Sequence, residues 1–328
     1  MKLLDGIKAV VLADHMVDFG GSMLARLGAE VILADAATLT GAREKAWHKG
    51  MVRSDAPLAD LLQGADILLD DRRTDPRDGV DALASAHDRL IHVVVTGFPD
   101  SDRPATDLTL MAQSGLMHVI GQPDRPPLRL PGEQAYALTG IQAATAALMG
   151  LRARRLTGKG QRITMSTLQC AALANYREAV MYEHTGRIGT RQGNMLVRGK
   201  SGVRQIWPCA DGFVTWSMID NPGMMRALVR VMQAEGAAGE LADIDWDDIL
   251  VADTDQEIIE RWQAVVAAFF AGHDRQTLAD WSLEHGWGLS PIIKLSEVPD
   301  SPQMRARGMF DADGVPGPLF AVHEGNAA

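Results

Sequence analysis

Short runs of Val, Ile and Leu recur along the first hundred residues, each followed by a stretch with helical spacing. "IKAVVLA" (7–13) precedes "GSMLARLGA" (21–29), and "EVILAD" (30–35) follows it. "ADILLDD" (65–71) and "LIHVVVTG" (90–97) continue the series. Apolar strands without polar alternation are buried on both faces, so their succession with helices predicts βαβ units and a parallel sheet. The expected class is α/β, with ligands at the strand ends. "GEQAYALTGIQAATAALMGLRARRLTGKG" (132–160) predicts one long helix, closed by basic residues and a Gly-bearing turn. Its many small residues predict close helix packing, with a subunit contact as one possible partner. "RQIWPCADGFVTWSM" (204–218) reads as two strands around an Ala-Asp-Gly turn, and residues 222–285 as amphipathic helices. The chain changes character near residue 200, which predicts a large domain over 1–199 and a smaller one over 200–288.

Composition narrows the function classes. The chain has 328 residues, 46% hydrophobic and 23% charged, enough for a sizeable core. A net charge of −10 argues against nucleic acid and against an anionic membrane surface, so an anionic ligand would need a local cluster of Lys and Arg. Two cysteines, Cys170 and Cys209, form neither a disulfide framework nor a metal motif. The apolar run Ala9–Ala13 is too short for a signal peptide or a membrane span. A cytoplasmic enzyme is expected. His15, His48 and His118 fit no ligand spacing, and no metal is expected.

The chemistry centres on "TGKGQRITMSTLQCAALANYREA" (157–179), a turn, a β-type segment and a small-residue helix. A reactive side chain commonly sits at such a junction. Here it reads Ser166, Thr167, Leu168, Gln169, Cys170, with no carboxylate.

Several blocks together resemble the family III CoA-transferases (the CaiB/BaiF family). "LLDGIKAVVLA…GSMLARLGAEVILAD", "LIHVVVTGF…ATDLTLMAQSGLM" and, most specifically, "LTGIQAATAALMGLRARRLTGKGQRITMS" fall in the family's order. "WPCADGFVTW" (207–216) and "SPQMRARGMF" (301–310) resemble its small-domain hairpin and a late helix. The resemblance implies a Rossmann-like large domain, a smaller α+β domain, an interlocked dimer and a CoA thioester as ligand. It also implies that the C-terminal segment, 289–328, returns toward the large domain. Against the family pattern, the stretch between Ala34 and Leu61 and the tail are short.

The resemblance implies a catalytic aspartate three residues after the serine, where this chain has Gln169. A primary amide forms no exchangeable anhydride, which leaves Gln169 a pocket or oxyanion role. The family's racemase branch implies a histidine and an aspartate where this chain has Thr106, just before Asp107, and Thr164; hydroxyls lack the pKa for α-proton transfer. Asp107 reads equally as a cap for a helix beginning at Leu108. Cys170 reads as a small core residue, and Glu178, Glu183 and His184 as a charged outer surface.

For CoA, the resemblance implies contacts at His15, Met16 and Val17 in "DHMVDFGG", and at Lys49 in "AWHKGM" as a phosphate ligand. It further implies Asp71, Arg72 and Arg73 near the adenine, with Arg72 replacing the usual aromatic. Gln169, Thr106 and Asp107 are the substrate-side candidates. Three functions follow: a transferase subunit whose partner chain supplies the carboxylate; a stand-alone acyl-CoA lyase, hydratase or isomerase; or a non-catalytic acyl-CoA binding paralogue. The partners implied are an acyl-CoA, a carboxylic acid, and either a second copy or a second family chain.

Overall fold

The computed structural model describes residues 2–34, 41–71, 77–101, 103–312 and 314–317. The chain divides into two compact units. The first comprises Met1–Ile120, Pro127–Thr190 and Ser301–Ala328; the second comprises Gly121–Pro126 and Arg191–Asp300.

The first unit is built on β1 (Lys8–Leu12), β2 (Glu30–Ala34), β3 (Met51–Ser54), β4 (Ile67–Asp70), β5 (Ile91–Thr96) and β6 (Gln161–Ser166). All pair in parallel, in the order β3-β2-β1-β4-β5-β6. That is the order of a Rossmann-like doubly wound sheet, whose switch point lies between β1 and β4. The helices are α1 (Asp18–Arg26), α2 (Ala42–Trp47), α3 (Leu58–Leu61), α4 (Arg77–Ser85), α5 (Asp107–Gln113), α6 (Gln134–Thr157), α7 (Thr167–Leu173) and α8 (Tyr176–Thr185). The apolar runs behave as their lack of alternation requires: Ile67, Leu68 and Leu69 are all fully buried. β3 has no such signature, because "MVRS" carries exposed Val52 and Arg53 at the sheet edge.

α6 ends as its sequence predicts, with Gly158 in the left-handed conformation and its N–H bonded to the Arg154 carbonyl. Its buried face is Ala135, Gly140, Ala143, Ala144, Ala147 and Gly150. The close packing is made within the chain. A Cβ on Gly140 would lie 2.8 Å from the Gly20 nitrogen of α1, and one on Gly150 would lie 2.5 Å from Ile91 of β5.

The second unit contains the hairpin β7 (Met195–Arg198) and β8 (Ser201–Arg204) and an antiparallel sheet of β9 (Ile206–Cys209), β10 (Gly212–Thr215) and β11 (Ser290–Ile292). The Ala210-Asp211 turn joins β9 to β10 as expected. Helices α9 (Pro222–Ala234), α10 (Gln256–Ala271) and α11 (Arg275–His285) close over a core holding Trp207, Trp216, Trp246, Trp262 and Trp287. Buried indoles need acceptors; the Trp207 and Trp216 N–H groups donate to the Trp216 and Trp287 carbonyls at 2.7 and 3.0 Å. A final short helix, α12 (Pro302–Ala306), belongs to the first unit. No helix among the described residues is long and apolar enough to cross a membrane.

Candidate functional site

Gln169 lies in the first turn of α7, just beyond the C-terminal end of β6. Ser166 caps this helix by accepting the Gln169 N–H at 3.3 Å, and its hydroxyl donates to Gln169 Oε1 at 2.8 Å. Ser-x-x-Gln is the spacing of a capping box, a signal legible in the sequence itself. The hydroxyl fixes the amide: its oxygen is taken, and its NH₂ meets no acceptor among the described residues. Gln169 lines a cleft of about 440 Å³ with Val94, Thr96, Pro99, Arg162, Thr164 and Met165. Cys170, the next residue, is 2% exposed, and burial pushes its thiol up to about 11. It is a core residue with no thiolate at neutral pH.

The loop after β1 occupies the switch point. Its N–H groups at Asp14, Met16 and Val17 all donate to the carboxylate of Asp71, which follows β4; the Met16 and Val17 bonds are 2.5 and 3.0 Å. In a doubly wound fold a ligand anion sits at the N-terminus of this first helix. Here the chain's own carboxylate engages those donors. Asp71 is completely buried, and desolvation pushes its carboxyl up to about 7 against the opposing pull of the Asp14 and Met16 N–H groups. Met16 and Val17 are also fully buried, and Met16 Sδ accepts from the Thr167 hydroxyl at 3.0 Å. This contact ties the β1 loop to the first residue of α7, two positions before Gln169.

His15 is the sole non-glycine residue with positive φ among the described residues, at 86°. Its Nδ1 lies 3.8 Å from Asp18, which also receives His48 Nε2 at 3.1 Å. Burial pushes the Asp18 carboxyl up, but the two imidazoles outweigh it and hold it below the usual range, while Asp18 raises His15. Both histidines therefore serve one carboxylate. His118 lies apart from them in sequence, on the 3₁₀ turn Leu116–Val119. Lys49 pairs with Asp311 of the C-terminal segment, and Arg26 donates to the Gly317 carbonyl at 3.3 Å. The candidates Arg72 and Arg73 lie outside the described residues.

Thr106, not Asp107, caps α5; its hydroxyl accepts the Thr109 N–H while the Thr109 hydroxyl accepts the Thr106 N–H, a capping box. Asp107 is the first helical residue instead. It is buried, accepts the Tyr136 N–H at 3.1 Å, and is shifted upward chiefly by desolvation. The cap assignment failed because a hydroxyl one position earlier took the geometry that a carboxylate was expected to supply. Glu178, Glu183 and His184 stand on α8, separated from α7 by the break at Ala174 and Asn175.

Arg43 carries no signal in the sequence. It forms an ion pair with Glu133 at 2.9 Å, lies 4.6 Å from the Trp47 ring centroid, and its charge offsets a small part of the upward shifts of His15 and Asp107. Nothing in "GAREKAW" sets it apart from a surface arginine; α2 alone places it there.

The family model for CoA-transferase family III matches residues 52–322. The chain belongs to CoA-transferase family III. Among curated family III relatives, the Thauera aromatica succinyl-CoA:(R)-benzylsuccinate CoA-transferase subunit BbsE is 31% identical over 186 residues, covering 54% of this chain and 44% of that protein. The match therefore spans less than half of BbsE. The Agrobacterium fabrum succinate–glutarate CoA-transferase is 26% identical over 348 residues, covering 93% of this chain and 84% of the relative. A crystal structure of a CAIB/BAIF family protein from Brucella suis superposes with a TM-score of 0.80 at 24% identity, covering 99% of this chain and 93% of that one. At that identity the likeness establishes the fold.

Proposed function

We propose that the chain binds an acyl-CoA thioester and takes part in CoA transfer between carboxylic acids as the subunit without a nucleophile. The observation that carries this reading is Gln169: an amide at the position where the family resemblance implies an aspartate, with its oxygen held by Ser166 and its NH₂ without an acceptor among the described residues. An amide N–H donates to a carbonyl oxygen as negative charge develops there, but it forms no anhydride. A carboxylate from a second family chain then supplies the covalent step, attacking the thioester carbon and releasing CoA thiolate. One relative, BbsE, is itself named as a subunit.

Two features support assembly with a second chain. α8 buries none of its residues, and it exposes Tyr176, Val180 and Tyr182. α6 exposes Ile141, Met149 and Leu156. Exposed apolar side chains grouped on a helix are a mark of a protein surface that a partner covers. On the ligand side, the His15 and Lys49 side chains are 31% and 32% exposed, and Thr106 is exposed. Asp71, Met16 and Val17 act by holding the β1 loop in shape, and Asp107 by fixing the start of α6, rather than through exposed contacts.

The test is co-expression with a second family chain that retains the aspartate, followed by a CoA-exchange assay. Exchange is expected from the pair and not from this chain alone, with Gln169→Ala lowering the pair's kcat. Exchange by the purified chain alone, unaffected by Gln169→Ala, would overturn the reading.

A further inference from the structure

The opposite end of the parallel sheet carries a second cavity. Residues 3–7 lead into β1 and Arg89 precedes β5, so both segments lie at the N-terminal edge of the sheet. Gln169 stands beyond the C-terminal end of β6, and a strand of that length spans about 20 Å. α6 completes the wall with Leu148, Leu151, Arg152 and Arg155, at i, i+3, i+4 and i+7, the spacing of one helix face. The cavity encloses about 410 Å³, within the range of small-molecule sites.

Its lining divides by burial. Leu4 and Leu151 are buried, and Leu3 and Leu148 are partly exposed. Arg154 is buried too, and its charge is matched: Nη1 donates to the Arg89 carbonyl at 2.8 Å and Nη2 to Asp66 Oδ1 at 2.7 Å. Arg89, Arg152 and Arg155 are exposed. Arg89 is anchored through Nη1 on the Gly158 carbonyl at 2.9 Å, and none of the three pairs with a carboxylate among the described residues. Against these cations the lining sets one carboxylate, Asp5. A basic residue in the last turn of a helix offsets its negative end, which accounts for Arg155. It accounts neither for Arg152, which lies before that turn, nor for Arg89 on another element. In a chain of net charge −10, three such guanidinium groups around an apolar floor form a local site for an anion.

We propose that this cavity binds a small phosphate monoester with an aliphatic body. The body lies against Leu3, Leu4, Leu148 and Leu151, and the phosphate takes the guanidinium forks of Arg152 and Arg155. A phosphate monoester carries nearly two charges at pH 7 and three acceptor oxygens, so it engages more than one fork, where a carboxylate fills one. The ligand is a free ester rather than a bilayer headgroup, because the net charge opposes an anionic surface. The site does not depend on the CoA reading.

Calorimetry of the full chain with octyl phosphate, inorganic phosphate and octanoate tests this. Octyl phosphate is expected to bind at least tenfold more tightly than either of the others. Arg152→Ala and Arg155→Ala, at exposed positions outside the core, are each expected to weaken it at least fivefold. Lys49→Ala, which removes the phosphate ligand of the CoA reading, is expected to leave it unchanged. Binding no tighter than that of phosphate or octanoate, or binding that survives both arginine substitutions, overturns the site. Loss of octyl phosphate binding in Lys49→Ala alone assigns it to the CoA site and overturns the proposal equally. So does co-sedimentation with phosphatidate vesicles that Arg152→Ala abolishes. None of these results alters the CoA reading.

Discussion

Asp71 spends both carboxylate oxygens on the backbone of the β1 loop, and it does so without solvent. Its carboxyl stands near 7 in the folded chain, because desolvation outweighs the loop's N–H groups, whereas an unfolded chain releases that proton near 4. The folded state thus holds a proton that the unfolded state has lost, and stability from this group falls as pH rises from about 4 to about 7. Urea midpoints of wild type and Asp71→Asn, compared across that range, are expected to show the wild-type advantage shrinking with pH and levelling above 7. A pH-independent difference would show that Asp71 is ionised throughout. At the same scale, the sequence shows Gln169 as an absence of carboxylate, and Ser-x-x-Gln announces its hydrogen bonds to Ser166. Asp71 was read as a ligand contact; its burial depends on β4 ending beneath a loop 55 residues earlier, and no local pattern carries that.

α1 and α6 cross where Gly20 meets Gly140. A Cβ on Gly20 would stand 2.7 Å from the Gly140 carbonyl oxygen, and backbone on backbone has no flexible end to yield. Gly140→Ala is therefore expected to cost about 1–3 kcal/mol by overpacking, despite the better helix propensity of alanine. Denaturant titration checks this, with Ala153→Gly on the same helix, outside the core cluster, as a control for propensity. The crossing also bears on the candidate site, since α1 begins at the β1 loop that carries His15 and Met16. The run of Gly and Ala in "TGIQAATAALMG" announced close packing on its own. It did not name the partner, because helix periodicity marks a face and not what the face meets.

In the whole molecule, the exposed faces of α6 and α8 are the feature that one chain leaves unresolved. Val180→Glu places a charge on α8 at a side chain that is 49% exposed. Sedimentation equilibrium is expected to show wild type, alone or with a second family chain, at the mass of an assembly, and Val180→Glu at the mass of a single chain. A monomeric wild type that also fails to pair on co-expression would remove the support that these faces give to a subunit role.

The amino-acid sequence determined the class of fold, the strands of the sheet interior, the long α6 with its glycine stop and the β9–β10 hairpin. Each is written in local periodicity and turn chemistry, which act over a few residues. Tertiary structure alone decided that the switch-point donors are met by Asp71, and that Arg43 and Arg162 stand near the candidate site. Those facts depend on which strand end lies beside which loop. That is settled by burial of the whole apolar set at once, and no stretch of neighbouring residues encodes it.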